Sequence, residues 1–205
     1  MISLRTIGVL LIVVATQFGL AVLSPGFAHD PDKPAARLPM IGPAVDFTLT
    51  AQDGTTFSMA DLRGKVVALS FIFTRCSDVC PIATQKMVRI QQELGEQFGR
   101  DVYFLSVSVD PEHDTPNVLA DYAEAFGCDT SGWVFLTGSA AEIRDVARGY
   151  GVFHQQDSGE EVRHNLLTSL IDRDGMLRVQ YMGERFDPQE LLHDLRDLLA
   201  VDATP

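Results

Sequence analysis

Apolar and polar positions along this chain alternate between two periods. "KVVALSFIFT", residues 65–74, is a continuous apolar run of strand length, the pattern of a strand buried on both faces, and it leads directly to Cys76. In "VCPIATQKMVRIQQELGEQF", Val79, Ile82, Met87, Ile90, Leu94 and Phe98 recur mostly every three or four residues, with Lys86, Arg89 and Gln92 between them. That spacing predicts an amphipathic helix with Gly99 as its stop. "DVYFLSVSVD" predicts a second buried strand, "TPNVLADYAEAF" a helix with Thr115 as N-cap and Pro116 in its first turn, and "WVFLTG" a short strand. "SAAEIRDVARGYG" predicts a helix capped by Ser139 and closed by Gly149, and "DPQELLHDLRDLLA" a final amphipathic helix capped by Asp187. Two β-hairpins complete the pattern, one turning at Asp53-Gly54 and one joining "NLLTSLID" to "MLRVQYMG" through "RDG".

Buried strands alternating with helices, then an antiparallel ending, describe an α/β fold: a mixed central sheet flanked by helices, with added β-hairpins. At 205 residues the chain suits one such domain, expected over 45–201. The first 28 residues have a basic start at Arg5, an apolar body over 7–23 and a "SPGFA" exit, the features of a signal peptide. The alternative is an uncleaved N-terminal membrane anchor, since roughly 17 apolar residues just suffice to span a bilayer. Either one places the domain outside the cytoplasm, periplasmic or anchored in the inner membrane and facing the periplasm. Residues 29–44, rich in proline and without hydrophobic period, read as a linker.

Charge narrows the partners. With 28 acidic and 16 basic residues the net charge is −12, which argues against nucleic acid and against an anionic membrane surface. Membrane contact is then expected only through the N-terminal segment, and the domain as a monomer. Export also changes how the three cysteines read, because thiols outside the cytoplasm oxidise unless something reduces or metallates them.

Cys76 and Cys80, four positions apart, fall where a buried strand hands over to a helix, the place where open α/β sheets put ligands. Four-residue spacing predicts both sulfurs on one face of the helix's first turn, within reach of each other. The free amides of that turn, with Arg75 adding to them, favour thiolate. Thiolate serves disulfide exchange and metal ligation alike, so the pair alone leaves a disulfide switch and a soft-metal site both open. A third ligand would tilt the choice toward metal. Of the five histidines, His193 is expected at the solvent face of the last helix and His113 in the charged loop "DPEHDTP". His154 and His164 flank the polar stretch "QQDSGEEVR", which reads as a loop, and His29 lies in the linker. Cys128, without a partner cysteine, reads as a buried, inert thiol near Trp133.

Three blocks, "SFIFTRCSDVCPIAT", "SVSVDPEHDTPNVLADYAEAFG" and "HNLLTSLIDRDG", occur in this order and together resemble the Sco/SenC family of copper-binding proteins linked to cytochrome c oxidase assembly. The resemblance spans about residues 45–200. It implies a thioredoxin-like fold in which Cys76, Cys80 and His164 bind one copper ion per chain, as Cu(I), Cu(II) or both. The family presents its histidine as "DHS" where this chain has "RHN", so the assignment of His164 rests on its place before the hairpin. Soft thiolates prefer Cu(I), and an imidazole completes a three-coordinate site that also tolerates Cu(II). The family pattern further makes Asp110 a candidate for supporting the site or docking a partner, beside the plainer role of an Asp-Pro turn. The implied function is a metallochaperone, not an enzyme, that passes copper to an oxidase subunit or another copper protein, with an upstream copper donor or a thiol reductant as further partners. The alternative is a thiol-disulfide oxidoreductase that reduces the acceptor's metal-binding cysteines with Cys76 and Cys80 as its redox pair. A peroxiredoxin-like scavenger would need a peroxidatic cysteine in a different loop context.

Overall fold

The computed structural model describes residues 38–200 apart from 153, 157–161 and 165–166, with the backbone alone at 154–156 and 162–164. The expected N-terminal segment and His29 lie outside the described residues, and everything below belongs to the compact unit Ala35–Pro205. No described helix is long and apolar enough to cross a membrane.

The hairpins, buried strands and helices read from the sequence occur in the predicted order, and among the described residues there are ten strands and four α-helices. They are β1 (Gly42–Pro43), β2 (Thr48–Ala51), β3 (Thr56–Ser58), β4 (Val66–Ile72), α1 (Val79–Leu94), β5 (Val102–Ser108), α2 (Pro116–Phe126), β6 (Trp133–Thr137), α3 (Ala140–Gly149), β7 (His154–Gln156), β8 (Val162–His164), β9 (Leu167–Ile171), β10 (Met176–Met182) and α4 (Pro188–Ala200). Eight strands form one mixed sheet in the order β1-β10-β9-β4-β5-β6-β2-β3. At its centre β4, β5 and β6 run parallel, joined by α1 and α2, while β9 lies antiparallel on the other side of β4. This is the thioredoxin-like α/β arrangement expected from the sequence.

Burial explains why the sheet forms where it does. All seven residues of β4 are buried, as a strand covered on both faces requires. Its one polar residue, Ser70, meets Ser106 of β5 at 3.2 Å, and the Trp133 indole N–H donates to Ser106 at 2.9 Å, so these three side chains satisfy one another. Thr115 and Ser139 cap α2 and α3 as predicted, the latter through a full capping box with Glu142. The Asp187 carboxylate likewise accepts the amide of Gln189 at 2.9 Å at the start of α4.

The structure differs from the pattern-based expectation in four places. Helix α1 stops at Gly95, whose φ of 53° leaves the helical region, before the anticipated Gly99. Helix α3 includes Gly149 and is C-capped by Tyr150, so the left-handed turn falls at Gly151, with φ 77°. The polar stretch read as a loop between His154 and His164 instead begins and ends in strand, β7 pairing antiparallel with β8 in a sheet of their own. The end of the proline-rich stretch is bound to the domain, since β1 pairs with β10, the Ile41 amide donates to Leu177 at 2.9 Å and Arg178 reaches the Leu38 carbonyl. Pro43 is tolerated there because β1 is an edge strand.

Candidate metal centre

Strand pairing builds the site. Parallel β4 and β5 are in register up to Ile72 opposite Ser108, so the segments that follow, 73–78 and 109–115, leave the sheet side by side. Cys76 lies in the first segment, three residues short of α1, while Cys80 is inside the helix's first turn. This corrects the expectation of two cysteines on one helical turn. The side chain of the N-cap, Asp78, does not cap the helix, and the Cys76 sulfur takes a helix amide instead: the Cys80 N–H donates to Cys76 Sγ at 3.4 Å. The two thiols are adjacent by this geometry, and both are free.

Their environments are unequal. Cys80 is fully buried, whereas Cys76 is half-buried between exposed Arg75 and Ser77. Burial pushes the Cys80 thiol up to about 12, against a backbone hydrogen bond with Phe73, and the neighbouring Cys76 and Asp114 add to the rise. A proton held this firmly is given up readily only to a cation that binds the sulfur in its place.

Two buried carboxylates fasten the cysteine loop. Asp114 accepts from the Thr74 amide at 3.1 Å, the Thr74 hydroxyl at 2.5 Å and the Ser108 hydroxyl at 2.5 Å. Asp110, its side chain fully buried, receives Arg75 Nε at 3.1 Å and Nη2 at 2.8 Å through one oxygen and faces His113 Nδ1 at 3.0 Å through the other. The turn that brings them together is closed by the Asp114 amide donating to the Asp110 carbonyl at 2.9 Å. Asp110 is thus both the turn former and a support of the loop. Arg75, expected to favour thiolate, spends its charge on Asp110.

Sequence reasoning missed Asp114 and the contact of His113. The available signal was the i, i+4 spacing of Asp110 and Asp114 opposite a Thr-Arg-Cys sequence, a pairing across 35 to 40 residues that no local pattern reveals. Below the cysteines, Thr84 and Tyr122 hydroxyls meet at 2.9 Å. Burial raises the Tyr122 phenol, with Thr84 opposing and the nearby cysteines adding. Cys128 is half-buried, and burial pushes its thiol to about 12, consistent with an inert side chain. His193 is exposed, 3.6 Å from Asp197, as expected.

His164 is described by its backbone: it is the last residue of β8, opposite His154 of β7. Strand β9 begins three residues later, and its Thr168 pairs antiparallel with Ser70 of β4. Because β9 runs antiparallel to β4, it begins at the end of the sheet where β4 ends. Among the described residues, no group of three or more His, Cys, Asp or Glu side chains is gathered as a metal site.

The donors that are described suit a soft ion. Two thiols lie together, and the two buried carboxylates beside them, Asp110 and Asp114, are engaged with Arg75, His113, Thr74 and Ser108.

Comparison with known proteins agrees with the fold. Residues 41–200 match the SCO1/SenC family. A SCO1/SenC family lipoprotein from Bacillus anthracis superposes with a TM-score of 0.74 at 33% identity, over 80% of this chain and 99% of that one. BsSco, a member of the Sco family of cytochrome c oxidase assembly proteins in which a disulfide switch was identified, superposes with a TM-score of 0.70 at 30% identity, over 80% and 98%. ScoI of Arabidopsis thaliana, solved with copper bound, gives a TM-score of 0.67 at 30% identity, over 77% and 98%.

Proposed function

The chain belongs to the SCO1/SenC family, and from that premise we propose that it is a copper metallochaperone for the assembly of a copper site in cytochrome c oxidase or a related acceptor. Cys76, Cys80 and His164 hold one ion. The observation that carries this reading is the adjacency of the two thiols, with the Cys80 amide on Cys76 Sγ, in a loop fastened by buried Asp110 and Asp114. A pair of soft sulfur donors favours Cu(I). The copper-bound Arabidopsis relative supports the same cargo.

Copper arrives from an upstream donor and leaves by ligand exchange. The His164 imidazole departs first, the acceptor's ligands enter, and the thiolates release the ion last. Export is part of the proposal: the N-terminal segment carries the domain out of the cytoplasm as a cleaved signal or a retained anchor, and the lipoprotein relative supports an exported form.

The test is copper binding by the reduced chain. One tightly held Cu(I) per chain is expected, lost in Cys76→Ala/Cys80→Ala and weakened at least tenfold in His164→Ala. Equal binding by the wild type and the double-cysteine variant would overturn the proposal.

A second reading, thiol-disulfide exchange with the acceptor's cysteines, is favoured by the half-buried position of Cys76 beside fully buried Cys80 and by the disulfide switch of BsSco. Cys76 would be the attacking thiol, and the reaction would survive His164→Ala. Rapid dithiol exchange by a His164→Ala protein that no longer retains copper would establish that activity separately.

A further inference from the structure

We propose that His113 is an entry ligand for copper: its Nε2 takes the ion from the upstream donor and passes it to the thiolates of Cys76 and Cys80. The inference rests on the copper reading above and adds a residue to the path by which that site is filled. His113 belongs to the turn that leaves the sheet beside the cysteine segment, and its amide donates to the Asp110 carbonyl at 3.1 Å. Its Nδ1 lies 3.0 Å from Asp110 Oδ1, while Arg75, the residue before Cys76, occupies Oδ2 through Nε and Nη2. One buried carboxylate thus holds the imidazole on one side and the cysteine loop on the other.

That contact fixes the tautomer of the ring. A carboxylate paired with a guanidinium only accepts hydrogen bonds, so the proton of the neutral imidazole is on Nδ1 and the lone pair is on Nε2. A carboxylate behind one ring nitrogen is the arrangement by which proteins orient the other toward a metal ion. The ring is 49% exposed, and among the described residues Asp110 is the only polar partner of its side chain. The sulfurs are the less accessible donors, Cys76 being half-buried and Cys80 fully buried, so an incoming ion meets the imidazole first. Exposed His193 offers no such donor, since its Nε2 itself faces Asp197 at 3.6 Å, on α4. Two soft thiolates hold Cu(I) more firmly than one imidazole, so the ion moves inward and His113 is not a ligand of the filled centre.

The experiment mixes the reduced full-length chain with a Cu(I)–bicinchoninate complex and follows the loss of the chelate's colour by stopped flow. Asparagine carries an amide N–H where histidine has Nδ1 and nothing where it has Nε2, so His113→Asn keeps the bond to Asp110 and removes the donor. Loading should slow about tenfold in His113→Asn and His113→Ala alike, while equilibrium Cu(I) affinity stays within about twofold of the wild type. His113→Met returns a soft donor without the bond to Asp110 and should recover most of the lost rate. In Cys76→Ser/Cys80→Ser, where the ion cannot move on, Cu(I) should shift the Nε2 resonance of His113 in nitrogen NMR. A wild-type loading rate in His113→Asn, a His113→Met rate no better than that of His113→Ala, or an Nε2 resonance that Cu(I) does not move overturns the inference and leaves the three-ligand reading standing. If the wild type holds no more Cu(I) than the double-cysteine variant, that reading falls and the inference with it.

Discussion

The loop that carries Cys76 and the ribbon that carries His164 are held by different means. Residues 73–76 emerge from β4, a strand buried along its whole length, and are bonded by Asp110 and Asp114, both inaccessible to water. Strands β7 and β8 pair with each other in a two-stranded sheet separate from the eight-stranded one, and a lone two-stranded ribbon is marginal in water. In the proposed centre, therefore, the cysteine loop is fastened by charge buried inside the domain, whereas, among the described residues, the strand that carries His164 is paired with β7 alone. A carrier that must bind tightly and still release needs that inequality, because exchange can begin at the weaker end without loss of the ion.

Removing Asp114 should erase the contrast. Asp114→Ala leaves the Thr74 amide and two hydroxyls without their acceptor in a site closed to water. Hydrogen bonds to a buried charge are the costly ones to lose, and about 3 kcal/mol of unfolding free energy should go with the side chain. Copper affinity should fall in parallel, as the cysteine loop loses its position. Urea unfolding and Cu(I) competition titration read the two effects. A loss under about 1 kcal/mol with copper binding intact would mean that the loop stands without its carboxylates.

Asp110→Asn tests the second support and should do less. Asparagine keeps an acceptor for the guanidinium, and Arg75, 40% exposed, can turn to water once the charge is gone. The expected cost is about 1–2 kcal/mol, with slower copper transfer to an apo acceptor. A transfer rate equal to the wild type's would remove Asp110 from the function and leave it as a turn residue.

These two carboxylates also mark the limit of what the sequence made legible. The order of strands and helices was readable because β4 is apolar but for Ser70, while Thr115, Ser139 and Asp187 announce helix starts by local chemistry. The cysteine pair was readable for the same reason, sitting at the end of an unmistakable strand. What escaped depends on partners distant in sequence. That Asp114 faces Thr74, or that Arg75 is spent on Asp110, follows from the register of β4 against β5 and from no local period. The β7–β8 pairing escaped because its polar residues carry no alternation of apolar and polar positions.

Burial of Cys80 gives the comparison a pH dependence in the reduced, metal-free chain. Its thiol is raised to about 12, above the ordinary value near 9.0 that it regains on unfolding. Below the ordinary value the buried, neutral thiol costs nothing; between the two values the unfolded chain loses a proton that the folded one keeps, so stability falls as pH rises. The slope from this one group approaches about 1.4 kcal/mol per pH unit. Cys128, raised for the same reason, adds to the wild-type slope, so the informative quantity is the difference between the wild type and Cys80→Ser. Urea unfolding from pH 8 to pH 11 should show the variant's curve flatter by about one proton's slope. Parallel curves would mean that the Cys80 thiol meets water and is not the shielded half of the pair.

His113→Ala should have the smallest effect and for that reason divides the roles around Asp110. The ring is 49% exposed and makes one contact with the carboxylate, at 3.0 Å, whereas Arg75 makes two. Water can replace the imidazole at the opening it leaves, so a loss of about 0.5 kcal/mol is expected, with Cu(I) affinity unchanged. The difference between this variant and Asp110→Asn then belongs to the Arg75 pair, which is the part that touches the cysteine loop. Should His113→Ala cost as much as Asp110→Asn, the order is reversed: the imidazole would be what keeps Asp110 turned toward Arg75, and the loop's support would extend to the surface of the domain.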